Sequence, residues 1–241
     1  MIYFVVPAHN EEALLARTLR SIQDPARRVE IPFELIVVDD NSTDRTSEIA
    51  LQAGARVVSV SLRKISAVRN AGATSAAGDV LIFVDADTVL PEKTLRSALT
   101  ALRRGAVGGG AVVRFDETLP LWSRGMLFSW NLTSRILRWA AGCFIFVRKE
   151  AFEAAGGFDE RYFAGEEIVL SEAMKRRGRF VILGDSVLTS GRKPKLYGFR
   201  ETVRILGGLA LRGSNAWQRR DGLDLWYNRR ASPQSPGEKA E

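Results

Sequence analysis

Four short, mostly apolar runs, separated by segments with the residue pattern of helices, occupy the first ninety residues of the 241-residue chain. The runs are residues 2–7, 33–38, 56–60 and 80–84. Continuous apolar runs of this length are typical of strands buried on both faces, and strands that alternate with helices form parallel βαβ units. The sequence therefore predicts an α/β domain built on a doubly wound sheet.

Polar residues follow the ends of three of these runs. Residues 8–11 follow the first run, Asp39 and Asp40 follow the second, and Asp85 and Asp87 follow the fourth. Ligands of open α/β sheets bind at the carboxyl ends of the strands. We therefore expect these residues to line one site, and we expect Asn10 also to cap the first helix.

The second half of the chain alternates less regularly, although 241 residues still fit one large domain. Its predicted helices are 91–104, 121–138, 148–155, 166–177 and 196–211, and its predicted strands are 106–115, 143–147 and 180–187. The last residues are rich in Ser, Pro, Gln, Gly, Glu and Lys, a composition that predicts a disordered tail over 231–241.

The formal net charge of +7 is concentrated in one segment. Residues 175–204 contain nine basic and two acidic residues, so the rest of the chain is neutral. This pattern predicts either an anionic partner at one site, such as a phosphate, a phospholipid surface or nucleic acid, or a solvated basic face. No recognised nucleic-acid-binding module accompanies the charge, so nucleic acid is not the expected partner.

The remaining global features favour a cytoplasmic protein. Cys143 is the only cysteine, so no intrachain disulfide forms, and its small or apolar neighbours predict a buried thiol. The first residues lack the charged region and cleavage site of a signal peptide. No apolar run approaches the roughly 18 residues that a membrane span needs.

The sharpest chemical signal is Asp85-Ala86-Asp87, directly after an apolar run. Two carboxylates one residue apart can share a divalent cation with a phosphate, because Mg²⁺ and Mn²⁺ bind one or two carboxylates plus substrate oxygens. The same residues with Thr88 also resemble the nucleophile motif of haloacid-dehalogenase-type phosphatases, in which Asp85 would attack a phosphoryl group. A turn without a catalytic role is the third interpretation.

Four motifs then occur in order along the chain: VVPAHNEE from Val5, VVDDNSTD from Val37, RNAG from Arg69 and DAD from Asp85. Together they resemble the motifs of the family 2 glycosyltransferases, which are inverting enzymes with the GT-A fold. The resemblance runs from residue 2 to about residue 190 and includes acceptor-side motifs at 141–144, 156–160 and 165–167. It implies a Rossmann-like mixed sheet in one domain over 1–230, with a nucleotide-sugar half (1–95), an acceptor half (96–195) and a C-terminal helical segment (196–230).

The resemblance also implies which residues bind the sugar nucleotide. Asp39 would accept a hydrogen bond from the base, which suits uracil and also guanine, so UDP is the favoured nucleotide and GDP the second. Asp85 would bind the ribose or the metal, and Asp87 would bind the metal directly, as Mn²⁺ or Mg²⁺. The other positions implied at this site are Pro7, Ala8, His9, Asn10, Glu11, Lys64, Arg69 and Ala86.

The adjacent carboxyls of Glu166 and Glu167 stand where the family carries its general base. The resemblance implies that Glu167, with Glu166 as its neighbour, deprotonates the acceptor hydroxyl in a single displacement that inverts the anomeric centre. Two adjacent like charges raise the pKa of one of them, which suits a base poised near neutrality. The alternative is that both residues only complement the N-terminus of a helix.

A histidine that many family members carry late in the domain is missing, because His9 is the only histidine of the chain. Arg192 and Lys193 stand near that position and would clamp the diphosphate, or else form only a basic surface loop. Gly142 and Cys143 fall on the acceptor side. The implied acceptor is a hydroxyl group of a lipid-linked compound or a polysaccharide.

Two questions stay open at the level of sequence. Residues 196–226 mix apolar residues with arginines, which predicts either a helix packed on the domain or a peripheral contact with an anionic membrane. A protein that binds nucleotides or nucleic acid without catalysis is also compatible with the motifs, because their presence does not prove turnover.

Overall fold

The computed structural model of the protein describes residues 1–118, 120–192 and 218. The strands in these residues are β1 (Ile2–Ala8), β2 (Phe33–Asp40), β3 (Arg56–Val60), β4 (Val80–Val84), β5 (Thr88–Val89), β6 (Ala106–Phe115), β7 (Phe144–Arg148) and β8 (Arg179–Thr189). The helices are α1 (Leu15–Arg28), α2 (Thr46–Gln52), α3 (Ile65–Ser75), α4 (Glu92–Arg103), α5 (Leu121–Leu137), α6 (Lys149–Ala154) and α7 (Glu166–Lys175). The predicted helix 196–211 and tail 231–241 lie outside the described residues, as does the segment 196–230 apart from Gln218.

The strands form one mixed sheet in the order β3-β2-β1-β4-β7-β6-β8-β5. β1 pairs in parallel with β2 and β4, and β2 pairs in parallel with β3, as the alternation of the first ninety residues predicts. β7 runs antiparallel to β4 and β6, whereas β6 and β8 are parallel. The predicted doubly wound mixed α/β sheet is confirmed, and β7 joins its two halves.

The core has two layers, one on each face of the sheet. In β1, Phe4 and Val6 lie in one layer and Tyr3 and Val5 in the other, because successive side chains of a strand point to opposite faces. Residues of α1 and α4 belong to the first layer, and residues of α3 and α7 belong to the second. Burial on both faces explains why β1 and β4 are almost continuously apolar.

Gly72 allows α3 to approach the sheet closely. A Cβ atom at this position would lie 2.8 Å from Cγ2 of Val38 and would also collide with Val5. The missing side chain therefore lets α3 pack directly on β1 and β2. This packing puts Arg69, about one turn earlier in α3, within hydrogen-bonding distance of Asp85 beyond the end of β4.

Several elements differ from the sequence predictions. α1 begins at Leu15 and is not capped by Asn10, which has a φ of 53° and uses its side-chain oxygen to accept a hydrogen bond from the N–H of Thr43. β7 begins at Phe144, one residue later than predicted. The sequence does not predict β5, because this two-residue strand exists only through its pairing with β8, which is distant along the chain.

Candidate active site

The loops that follow β1 and β2 contact each other at the carboxyl end of the sheet. The N–H of Asn10 donates a hydrogen bond to Oγ of Ser42 over 2.8 Å. Nδ1 of His9 lies 2.9 Å from the carbonyl oxygen of Asp40. Two segments predicted to bind the nucleotide therefore form one continuous wall.

Asp39 and Asp40 organise this wall from the end of β2. Both carboxylate oxygens of Asp39 accept hydrogen bonds, one from the N–H of Ser42 in the following loop (3.1 Å) and the other from the hydroxyl of Ser47 in α2. The carboxylate of Asp40 accepts from the N–H of Arg63 (2.8 Å). Asp39 thus lies in the wall, and its contact with a nucleotide base stays a prediction.

Arg192 links the loop after β1 to the loop after β4. Its Nη2 atom lies 2.9 Å from Oε2 of Glu11 and 3.1 Å from Oδ2 of Asp87. Burial opposes the charge of Arg192, but the two carboxylates outweigh this effect and raise its pKa. The structure therefore brings Arg192 to the predicted site, whereas Lys193 lies outside the described residues.

Arg69 is 2% exposed and joins two carboxylates that are distant in sequence. Nη1 donates to Oε1 of Glu166 (2.6 Å), and Nη2 donates to Oδ1 of Asp85 (2.8 Å) and to the carbonyl oxygen of Gly142 (2.9 Å). These bonds tie the end of β4 to the start of α7. The predicted contact of Arg69 with a pyrophosphate stays a prediction.

The sequence predictions missed the pairing of Arg69 with Asp85 and Glu166. One signal could have found it, because Arg69 is the only charged residue in the sequence of α3, ISAVRNAGATS. An arginine inside a helix of small and apolar residues is buried with the helix and therefore needs charged partners. The identity of those partners depends on the fold.

The carboxyls at the start of α7 hold their protons more tightly than ordinary glutamates. Burial and, to a smaller extent, the negative charge of Glu166 together raise the pKa of Glu167 to about 8. Burial also raises the pKa of Glu166, against the effect of the Arg69 charge. A carboxyl that exchanges its proton near neutral pH has the property that a general base requires.

Asp85 and Asp87 form the donor set that a divalent cation would use. Both carboxylates follow β4 and are partly exposed. Mg²⁺ and Mn²⁺ bind one or two carboxylates together with substrate phosphate oxygens, so this pair fits such an ion. No cluster of three or more His, Cys, Asp and Glu side chains suited to a metal ion occurs in the described part of the chain.

Lys64 lies at the start of α3, beside the loop that precedes α7. Its Nζ atom donates to the carbonyl oxygen of Glu160 (2.7 Å) and lies 4.0 Å from the ring centroid of Phe163. These contacts join Lys64 to the second half of the chain. Its predicted contact with the pyrophosphate stays a prediction.

The backbone around β4 connects the other predicted residues. The carbonyl oxygen of Cys143 accepts from the N–H of Asp85 (3.2 Å), and that of Ala86 accepts from the hydroxyl of Thr18 (2.8 Å). The thiol of Cys143 is partly buried against the core, and burial raises its pKa far above the usual range. Pro7 and Ala8 end β1 and pair with the last residues of β2.

Two solved structures share this architecture. The mannosyltransferase PcManGT from Pyrobaculum calidifontis, in complex with GDP-Man and Mn²⁺, aligns with a TM-score of 0.64 and 20% identity over 88% of this chain and 64% of its own. S. aureus TarS 1-349, in complex with UDP-GlcNAc, aligns with a TM-score of 0.61 and 20% identity over 79% of this chain and 58% of its own. The fold is therefore that of the GT-A glycosyltransferases.

Residues 3–156 match the family model described as Glycosyl transferase family 2. The match covers more than half of the chain, so the protein belongs to this family of transferases. A curated relative is the undecaprenyl-phosphate 4-deoxy-4-formamido-L-arabinose transferase of Pseudomonas paraeruginosa, 34% identical over 131 residues that cover 51% of this chain and 39% of the relative. The chain spans about a quarter to a half of the length of the curated relatives it matches.

The family and the site together disfavour the phosphatase interpretation of Asp85. A phosphatase nucleophile must reach a phosphoryl group with a carboxylate oxygen. Here one oxygen of Asp85 is bound by the buried Arg69 guanidinium, and the surrounding motifs belong to a glycosyltransferase family.

Proposed function

We propose that the protein is an inverting glycosyltransferase that moves a sugar from a nucleoside diphosphate to a hydroxyl acceptor. The observation that carries this proposal is the buried cluster in which Arg69 binds both Asp85, after β4, and Glu166, beside Glu167. Through Glu166, this cluster joins the start of α7, where Glu167 has a raised pKa, to Asp85, one of the two carboxylates suited to a diphosphate-bound cation. Those are the two groups that a single displacement on a sugar nucleotide needs.

The donor would lie along the wall made by the loops after β1 and β2. Asp39 would accept from the imide N–H of the base, which favours UDP and also permits GDP. Support for both comes from the similar folds, since TarS was solved with UDP-GlcNAc and PcManGT with GDP-Man. His9, Asn10 and Glu11 would line the base and ribose.

Asp85 and Asp87 would hold Mn²⁺ or Mg²⁺, which supplies positive charge to the leaving diphosphate. Arg192 is placed to add to that charge, because its guanidinium already lies beside Asp87 and Glu11. Preorganised positive charge of this kind stabilises the developing anion without reorganisation during the reaction.

Glu167 would take the proton of the acceptor hydroxyl. A base is efficient when its pKa lies near the working pH, and burial brings the pKa of Glu167 into that range. Glu166 cannot move freely to take this role, because its carboxylate is bound by Arg69. The backbone around Gly142 and Cys143 would line the acceptor side, and the undecaprenyl-phosphate relative makes a lipid-linked compound one candidate acceptor.

A nucleotide screen tests the donor assignment. We expect UDP, and to a smaller extent GDP, to raise the thermal midpoint of the full chain in the presence of Mn²⁺, because binding to the folded state stabilises it. Asp87→Ala should abolish the Mn²⁺-dependent part of the shift, whereas the exposed control Asp24→Ala should keep it. A shift that is equally large in Asp87→Ala would contradict the role of Asp87.

Replacing Arg192 with glutamine should make nucleotide binding more dependent on metal. The variant loses the positive charge beside Asp87, so we expect UDP affinity without Mn²⁺ to fall about ten-fold, as for loss of a charge-assisted bond, and the loss with Mn²⁺ to be smaller. Calorimetric titration of UDP with and without Mn²⁺ measures both values, with Arg20→Gln as an exposed control. Equal losses in the two conditions would rule out the proposed sharing of charge between Arg192 and the cation.

A further inference from the structure

The solvent-facing side of α5 is apolar. The exposed fractions are 79% for Leu121, 71% for Phe128, 51% for Leu132 and 68% for Ile136. These residues are spaced by seven, four and four positions, so they lie in one stripe along the helix. Among the described residues, half of the large exposed hydrophobic side chains belong to this stripe.

On the side of α5 that faces the domain, polar residues form hydrogen bonds or are buried. The side chain of Asn131 accepts from the N–H of Val113 (3.0 Å) and donates to its carbonyl oxygen (2.9 Å), like an extra strand residue beside β6. Ser123 and Ser134 are buried on this side. The exposed apolar stripe of α5 therefore points away from the core, whereas the apolar face of an amphipathic helix usually faces the core.

Basic residues accompany the stripe. α5 contains Arg124 and Arg135 and no acidic residue, and Arg138 follows directly after it. All three arginines are exposed. Exposed arginines along an apolar helical stripe are typical of helices that lie in the interface of an anionic bilayer, with the apolar side chains among the lipids and the basic groups at the phosphates.

We propose that α5 docks the protein on the surface of an anionic phospholipid bilayer, lying parallel to it. The helix does not cross the bilayer, because no helix in the described ranges is both long and apolar enough to do so. α5 leads through Trp139 to Gly142, whose carbonyl oxygen binds Arg69 in the candidate site. Docking through α5 would therefore hold the site near the lipid headgroups, although the docking itself does not depend on glycosyl transfer.

Co-sedimentation of the full chain with vesicles tests this surface. We expect binding to vesicles of equimolar phosphatidylcholine and phosphatidylglycerol, and weak binding to phosphatidylcholine alone. The double variant Phe128→Ser/Leu132→Ser should lower the partition coefficient by about ten-fold or more, because it removes apolar area that enters the interface. Leu51→Ser is the matched control, since Leu51 is 62% exposed on another helix and should not matter.

A second variant separates the electrostatic part of the interaction. Arg124→Gln/Arg135→Gln keeps the apolar stripe and should lower binding to the anionic vesicles and weaken its dependence on salt. Because the stripe is exposed, the serine variant should keep the thermal midpoint and the oligomeric state of the wild type when no lipid is present.

Three results would overturn the proposal. The first is that both α5 variants bind the vesicles as strongly as the wild type does, which would place any membrane contact elsewhere in the chain. The second is a lowered thermal midpoint of the serine variant, which would mean that another segment of this chain covers the stripe. The third is a dimer of the wild type that the serine variant dissociates, which would make the stripe an interface between two copies.

Discussion

Glu167→Gln is expected to lower the rate of sugar transfer by about 10²–10⁴-fold, the usual contribution of a general base. Glutamine keeps the size and polarity of the side chain but cannot take a proton from the acceptor hydroxyl. Binding of the nucleotide should be unchanged, because the wall after β1 and β2 and the carboxylates after β4 are intact. Rates with saturating sugar nucleotide and Mn²⁺ measure the loss, and Glu153→Gln, at an exposed position, is the control.

The same variant should be more stable than the wild type at neutral and alkaline pH. The pKa of Glu167 is about 8 in the folded protein and about 4.5 as an ordinary glutamate, so the unfolded chain loses this proton first as the pH rises. The free energy of unfolding of the wild type therefore falls between these two values and stays lowered above the higher one. Glutamine removes this loss, so the gain in thermal midpoint should grow from pH 5 to pH 8.

Activity and stability together distinguish a base from a helix-terminal charge. If Glu167 only complemented the N-terminus of α7, its replacement by glutamine would lower stability and leave the transfer rate almost unchanged. The wild-type rate should also rise with pH up to about the pKa of Glu167. A variant that keeps the wild-type rate and pH profile would exclude Glu167 as the base.

Arg69→Met should destabilise the protein by about 3–5 kcal/mol, because removing one member of a buried ion pair leaves its partners without compensation. Glu166 is almost fully buried, and Asp85 is partly buried. Both would lose their charged hydrogen-bond donor at once. Urea unfolding followed by circular dichroism measures the change in the free energy of unfolding.

A control and a rescue make this result specific. Arg45→Ala removes an exposed arginine paired with Glu48 and should have no measurable effect, since exposed ion pairs contribute little. The double variant Arg69→Met/Glu166→Gln should recover part of the lost stability, because it also removes the buried charge that was left unpaired. A loss below about 1 kcal/mol for Arg69→Met would mean that the cluster does not hold the end of β4 against α7.

Local sequence patterns were sufficient to predict the alternating strands and helices in the first half of the fold. β1, β2 and β4 are largely buried on both faces, so their sequences are mostly apolar and polar residues mark their ends. The contact between the loops after β1 and β2 follows from the parallel pairing of these strands. The pattern alone could not indicate that Asn10 would bond to the second loop instead of capping α1.

Features that depend on contacts between distant parts of the chain could not be predicted from the sequence. β5 exists only because Thr88 and Val89 meet the end of β8. Arg69 meets Glu166 because α3 and α7 pack on the same face of the sheet, which no local spacing encodes. The helical pattern could not predict that the apolar stripe of α5 is exposed either, because periodicity identifies an apolar stripe but not the side on which the core lies.

The anomeric configuration of the sugar directly after transfer is the most direct test of a single displacement assisted by Glu167. The full chain would be incubated with Mn²⁺ and a panel of α-configured UDP-sugars and GDP-sugars, with water or a hydroxyl compound as acceptor, and followed by proton NMR from the first minutes. We predict that the β anomer forms first and that Glu167→Gln forms almost none. First formation of the α anomer, or no release of nucleotide from any sugar nucleotide in the panel, would contradict the proposed function.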